Sequence, residues 1–423
     1  MAASVIRTLV IGINYAPEMI GCSRYTSDLV AYIAGPQASI EVVTAPPHYP
    51  GWRVQRPFSA WRYATETMPD VRVTRCPILM KRNGGGLWRL IAPMTFGMSA
   101  VPAVLWRAVR LKPDVILCVV PTLFAAPAAV LASRLTGARL IFHVQDLEVD
   151  AAFAVGHLNN RWLQRIGLAF ERRMLGAADA VVSISKRMCE RLAAKGVPAH
   201  HISLIRNWVD IKAIHPGGDG SGFRRRHGID ADAFVVMYAG HIGAKQAIDV
   251  LLKAASLCQR EPRVQFVIAG DGPMKTPLMA EYSTLRNVVW LPLQPEQQLC
   301  AMLSAADIHV LPQMRSAADL VLPSKLGGML ASGRPIVVAA DADTELAEFL
   351  AVAATLVPPG DHEAMADVLL DALDQVPGED RRAARLDLAA QLDRSVLLDE
   401  FQSLIKRFAS ASARIEAAAV TSV

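Results

Sequence analysis

The stretch IHVLPQMRSAADLVLPSKLGGMLASGRPIVVAA, residues 308–340, switches hydrophobic period three times over a short distance. The apolar run 308–311 predicts a buried strand, and a polar loop leads from it to Pro323-Ser324-Lys325. Those three residues open a short helix of small side chains, which Gly333-Arg334-Pro335 ends before a second strand at 336–340. Proline and serine suit a first helical turn, where free N–H groups and the positive dipole end point outward. A lysine there adds the charge that a phosphate or diphosphate would need. The closely set glycines and alanines leave room for a ligand to approach the backbone. The predicted unit is strand, anion loop, helix, strand.

At 423 residues the chain is too long for a single core, and two domains of roughly 200 residues each are expected. Its composition is that of a globular protein, 52% hydrophobic and 20% charged. Six cysteines are scattered without a CxxC pair or a nearby histidine cluster. That pattern suits reduced thiols and predicts neither a disulfide framework nor a metal site. No signal peptide is expected at the N-terminus, which enters a strand within a few residues. Residues 90–106 are uncharged but contain Pro93 and Pro102, and they fall just short of the ~20 residues a membrane span needs. Charge is unevenly placed. Up to Asp210 there are 24 Lys and Arg against 13 Asp and Glu, whereas the remainder has 20 against 26. The basic first half points to an anionic partner. Without basic-aromatic interleaving, a membrane surface or a phosphorylated lipid fits better than nucleic acid.

Strands and helices alternate almost throughout, the pattern of parallel sheets covered on both faces. In the first half, strands are predicted at 8–13, 40–44, 71–75, 115–119, 140–144, 180–184 and 202–205. Helices are predicted near 21–34, 96–111, 125–135, 161–175 and 186–195. Residues 207–223, with Pro216 and four glycines, lose periodicity and read as a linker. The second half repeats the rhythm with strands at 235–239, 264–269, 288–291, 308–311, 336–340 and 355–357, followed by helices from 361 to about 411. The expected fold class is α/β: two Rossmann-like, doubly wound parallel-sheet domains facing a cleft. Residues 1–210 form the first and 211–423 the second, whose last helix could return to the first.

Five places carry chemistry. The first strand ends at Asn14-Tyr15-Ala16-Pro17-Glu18-Met19-Ile20-Gly21, where Gly21 permits close approach of a ligand but serves helix packing equally well. There is no G-x-G-x-x-G fingerprint. His143 and Asp146 gather with Glu148 and Asp150 at a strand's carboxyl end, where doubly wound sheets bind ligands. They could orient a sugar or share a proton, or act as an ordinary hydrogen-bonded histidine and a helix cap. Two further strand-to-helix turns, Gly240-His241-Ile242-Gly243-Ala244-Lys245 and Gly270-Asp271-Gly272-Pro273-Met274-Lys275, resemble phosphate cradles. With Ser324-Lys325 they make three anion-friendly turns on one sheet. Residues 84–112, rich in Trp, Arg and Lys, read either as a membrane-interface segment or as a plain surface helix.

With these turns in order, the chain resembles a GT-B glycosyltransferase of the large retaining family 4. It is similar to the colanic-acid-type exopolysaccharide transferases through Ala45-Pro46-Pro47-His48-Tyr49-Pro50, the segment 143–150 and Pro323-Ser324-Lys325-Leu326. The likeness implies transfer, with retention and without a metal or other cofactor, from a nucleoside-diphosphate sugar to a hydroxyl. The donor would be GDP-fucose-like or a UDP-sugar. It implies catalytic roles for His143, Asp146 and Lys325. Donor contacts would come from Gly21, Gly240, His241, Lys245, Gly270, Gly272, Ser324 and Lys325. Two departures stand out. Where the family has an Arg and a Lys after the strand 235–239, this chain has His241 and Gln246, with Lys245 one residue off. Where it has two spaced acids, the later binding ribose, this chain has Val321 and Gly328, and Asp319 is the nearby acid that could substitute. The resulting expectation is an enzyme peripheral on the cytoplasmic face of the plasma membrane. It would extend a lipid-diphosphate-linked oligosaccharide in exopolysaccharide biosynthesis. A nucleotide-sugar epimerase of the same fold, or a silent nucleotide-sugar-binding scaffold, are the alternatives.

Overall fold

The computed structural model describes residues 5–18, 21–49, 51–68, 70–81, 88–121, 123–147, 161–315, 322–374 and 379–421. The chain divides into two compact units, one of Met1–Arg206 with Leu398–Val423 and one of Asn207–Leu397.

The first unit is built on strands β1 (Ile6–Ile11), β2 (Ala38–Thr44), β3 (Ala64–Met68), β4 (Val71–Arg75), β5 (Val115–Val120), β6 (Arg139–Val144), β7 (Ala180–Ser183) and β8 (Ile202–Leu204). They form one sheet in the order β3-β4-β2-β1-β5-β6-β7-β8. All pairs are parallel except β3 with β4. The inner strands read as apolar runs because helices cover both faces, and β5 is buried along its whole length. Strand β3 was not expected. Its ATETM sequence has no apolar run, and it is held at the edge by pairing with β4 and by the Arg75–Glu66 ion pair at 3.0 Å.

The helix after β4 runs Trp88–Leu111, eight residues longer at its start than its periodicity indicated. Among the described residues, its segment Leu90–Leu111 is long and apolar enough to cross a membrane by length and composition, which corrects the shorter span read from sequence. Here it is a layer of the first unit. Ala92, Phe96, Ala100, Val104 and Ala108 are buried at helical spacing. Gly97 lets the helix meet the turn at Leu123–Ala125, since a Cβ there would stand 2.5 Å from the Phe124 carbonyl oxygen. Pro102 is tolerated because the carbonyl it frees belongs to Met98, on the exposed side.

The second unit has β9 (Phe234–Ala239), β10 (Val264–Ala269), β11 (Val288–Leu291), β12 (Ile308–Leu311), β13 (Ile336–Ala339) and β14 (Thr355–Val357). They form an all-parallel sheet in the order β11-β10-β9-β12-β13-β14. The strand order reverses between β9 and β12, so the crevice such a reversal opens lies at their carboxyl ends. Residues 207–223 are not a free linker. Trp208, Val209, Ile214 and Phe223 are buried, and Val209 bridges to Asp393. Glycines 218 and 220 are there for contact, not freedom: a Cβ on either would stand 2.5 Å from an oxygen of Ser304. The final helix, Arg394–Thr421, enters the first unit at Leu398. Its Tyr32–Asp399 hydrogen bond is 2.8 Å.

Candidate functional site

The switch point of the second sheet assembles from two turns and one lysine. Strand β9 ends in Tyr238-Ala239-Gly240-His241, and β10 ends in Ala269-Gly270-Asp271-Gly272. The turns lie backbone against backbone: the Gly240 N–H donates to Ala269 O at 2.9 Å and the Ile242 N–H to Asp271 O at 2.9 Å. Gly270, at φ 153°, is required because a Cβ would stand 1.8 Å from the Gly240 carbonyl oxygen.

Lys325 reaches this place from the loop after β12. Its ammonium is buried and has no hydrogen-bond partner among the described residues, and it lies 3.8 Å from the centroid of the Tyr238 ring. A Cβ on Gly240 would lie 3.3 Å from Lys325 Cδ and 3.6 Å from its Nζ, so the lysine side chain runs directly against the turn. Burial lowers the Lys325 pKa to about 7. The Tyr238 hydroxyl donates to His241 O at 2.5 Å, which ties the ring to the same turn. His241 is exposed at the turn, and its pKa is lowered by partial desolvation first and by the Lys325 charge second. Gly243 allows its ring to fold over the turn: the position of a Gly243 Cβ is 2.9 Å from both His241 Nε2 and Gln246 Oε1. Lys245 is exposed, and its carbonyl accepts the Met314 N–H at 3.1 Å, holding the β12 loop to the β9 turn. A buried cation set over an aromatic face has the chemistry to receive an anion.

Several residues play other parts than their sequence context indicated. The helix after Lys325 is only Leu326–Ala331, with no side-chain cap, and Pro323 and Ser324 precede it instead of forming its first turn. Its glycines do not make room for a ligand. Gly327 faces Val209, and Gly328 faces Leu303 and Ile214. The position where the family carries its ribose-binding acid is therefore packed with apolar side chains. In the Gly270–Lys275 turn the lysine faces the protein, where Lys275 Nζ donates to Gly270 O at 2.8 Å and Leu291 O at 2.9 Å. The Gly272 N–H donates to Asp271 Oδ1 at 2.8 Å. Asp319, Val321, Glu148 and Asp150 lie outside the described residues.

In the first unit, Gly21 (φ 63°) caps the helix Cys22–Ile33 through its backbone, with open space where a side chain would be. His143 is fully buried. Its Nε2 lies 2.9 Å from Gln145 Nε2, its ring meets Phe401 edge-on at 5.0 Å, and burial lowers its pKa to about 3. Burial thus favours its neutral form, and the ring's contacts are with Gln145 and with Phe401 of the last helix. The Asp146 carboxylate accepts the Leu147 N–H at 2.8 Å.

Sequence reading passed over three residues. The Glu18 carboxylate is buried and accepts N–H bonds from His48, from Tyr49 at 2.5 Å and from Asn14 Nδ2 at 2.9 Å. Arg75, also buried, donates to Ala16 O at 2.5 Å and Ala45 O at 3.3 Å. Together they lock the loop leading to Gly21 against the loop after β2. Tyr238 is the third. Its only signal was a polar tip near the end of an otherwise apolar strand. Among the described residues no group of three or more His, Cys, Asp and Glu stands together as a metal site would.

Comparison with known proteins agrees with this construction. Residues 21–208 match the glycosyl transferase 4-like domain, and residues 233–375 match the glycosyl transferases group 1 family. A protein of Escherichia coli K12 that carries the name colanic acid biosynthesis glycosyl transferase WcaI is 38% identical over 351 residues, 81% of this chain and 85% of its own length. The chain belongs to the GT-B glycosyltransferases of family 4. A D-inositol 3-phosphate glycosyltransferase of Mycolicibacterium vanbaalenii is 30% identical over 59% of this transferase and 57% of its own length. Sucrose-phosphate synthase of Thermosynechococcus elongatus superposes on the transferase with a TM-score of 0.71 at 17% identity, covering 96% of this chain and 100% of that one. The Anabaena protein HepE in complex with UDP and glucose gives 0.66 at 17%, covering 95% and 99%. These structures share the GT-B fold.

Proposed function

We propose that the transferase moves a sugar, with retention at the anomeric carbon and without a metal, from a nucleoside-diphosphate sugar to a lipid-diphosphate-linked oligosaccharide. The reaction would serve exopolysaccharide biosynthesis at the cytoplasmic face of the plasma membrane. The observation that carries the proposal is the buried Lys325 ammonium beside Gly240, without a hydrogen-bond partner among the described residues. A diphosphate is the anion whose charge grows as the glycosidic C–O bond breaks, so a desolvated cation beside it favours the transition state over the bound donor. The acceptor hydroxyl attacks the face the diphosphate leaves, the bonding pair stays on the leaving oxygen, and that oxygen takes the hydroxyl proton. The exposed Lys245 is the next cation on the same turn, and the His241 ring, whose pKa is lowered, offers a neutral hydrogen-bonding group there.

Resemblance to the colanic acid protein supports the class of product, and the UDP-bound relative of the fold supports the class of donor. The apolar setting of Gly328 means that ribose must be held by a group other than the family's usual acid. The test is a nucleotide panel by thermal shift, then transfer assays on lipid-diphosphate acceptors. A bound nucleoside diphosphate raises the midpoint, and Lys325→Ala is expected to cut transfer at least ~100-fold. Near-normal turnover in a folded Lys325→Ala protein rejects the diphosphate role, and binding without transfer favours the scaffold reading.

A further inference from the structure

The three helices that cover one face of the first sheet present an outer surface whose chemistry is unlike that of an ordinary solvated face. They are Trp88–Leu111, Ala126–Thr136 and Arg161–Leu175. The crossovers they form, β4 to β5, β5 to β6 and β6 to β7, all run the same way across the sheet, so right-handedness places them on one side. The first packs on the second and the second touches the third, with Phe124 and Phe170 stacked at 6.5 Å.

On the longest helix the outward row is Met94, Met98, Pro102, Trp106 and Val109, at steps of four and three residues, without one polar side chain. Met98 is 72% exposed and Trp106 63%. The second helix adds Leu131 and Leu135, and the third adds Trp162, 67% exposed, and Ile166. Scattered exposed hydrophobics need no explanation, but rows on three adjacent helices do. The same three helices hold eight arginines and one acid. That acid, Glu171, is buried in an ion pair with Lys195. Arg107 also turns inward, to Glu41 at 3.4 Å. What remains outside is Arg110, Arg134, Arg165, Arg172 and Arg173 around an apolar centre, with Lys112 just beyond and the Lys81 ammonium over the Trp88 ring at 5.7 Å.

We infer that this outer helical face seats on a bilayer surface rich in anionic lipid, with the methionines and tryptophans at headgroup depth and the arginines on lipid phosphates. A second copy of the chain is the poorer occupant. Isologous pairing would set the arginine rim against itself, and the one carboxylate on these helices, Glu171, is already buried against Lys195. The purpose of the face rests on the reading of the acceptor as lipid-linked, whereas its binding to lipid does not need the acceptor.

The test uses the full chain and sedimenting vesicles of phosphatidylglycerol with phosphatidylethanolamine, against vesicles of phosphatidylcholine alone. Binding to the anionic vesicles is expected to be at least about tenfold tighter, and to weaken steeply between 0.05 and 0.5 M salt, roughly the range over which screening shortens from over 10 Å to a few Å. Met98→Glu with Trp106→Glu should lower partition by about tenfold or more, as should Arg165→Glu with Arg173→Glu. Leu293→Glu, exposed on the second unit, should leave it unchanged. Melting midpoints verify folding of each variant, and nucleoside-diphosphate binding is measured alongside. Equal binding to neutral vesicles, or variants of this face that bind as wild type does, overturns the inference. So does a dimer in sedimentation velocity that the same variants dissolve. Loss of nucleotide binding with vesicle binding intact would instead count against the transfer reaction and leave the docking face standing.

Discussion

At the residue scale, Lys325 joins stability to function. Its pKa falls from the ordinary 10.5 to about 7 because the ammonium is desolvated. The unfolded chain therefore binds a proton that the folded chain releases, between pH 7 and 10.5. The sign follows: the group destabilises the native state fully below pH 7, and this cost fades as pH rises towards 10.5. Lys325→Met is expected to be more stable than wild type by ~1–3 kcal/mol at pH 7, and the gap should close near pH 10 in urea titrations. Nucleotide binding should move the other way. A diphosphate needs the charged form, so wild-type affinity falls as pH climbs above 7 with proton uptake seen in calorimetry across buffers. The Met variant binds weakly with no such uptake. The lysine was legible from its place in the Pro323-Ser324-Lys325 turn. Its ring partner Tyr238 was not, because 87 residues separate the two and only the sheet order brings β9 beside β12.

At the element scale, turns and helices were legible where local chemistry sets them, and misread where a neighbour does. All six strands of the second sheet were visible as apolar runs, since a parallel strand buried on both faces has no polar phase to confuse it. Strand β3 was invisible, because an edge strand is made by its partner. Glycines were the least legible residues. Sequence cannot tell a glycine that admits a ligand from one that admits a neighbouring backbone. Gly270 is of the second kind, and Gly270→Ala should destabilise the protein by at least ~3 kcal/mol, with loss of nucleotide binding as the two turns separate. A wild-type melting curve for that variant would refute the packing role.

At the scale of the whole molecule, the last helix belongs with the first unit although it follows the second in sequence. Phe401 is fully buried there against His143. Phe401→Ala is expected to cost ~3–5 kcal/mol, and water admitted to the site should raise the His143 pKa from about 3 towards its ordinary value in an NMR titration. The alternation of apolar strands and helices, the two-sheet plan, the basic first half and the lysine of the anion turn were determined by sequence alone. Each depends on residues close together along the chain, or on composition summed over it. Tertiary structure alone decided that the Lys325 ammonium is buried over the Tyr238 ring, that Gly328 is closed in by Leu303 and Ile214, and that His143 is buried with its neutral form favoured. These are properties of what surrounds a side chain once distant strands and helices meet. Desolvation, which fixes the charge of Lys325 and of His143, exists only after that meeting.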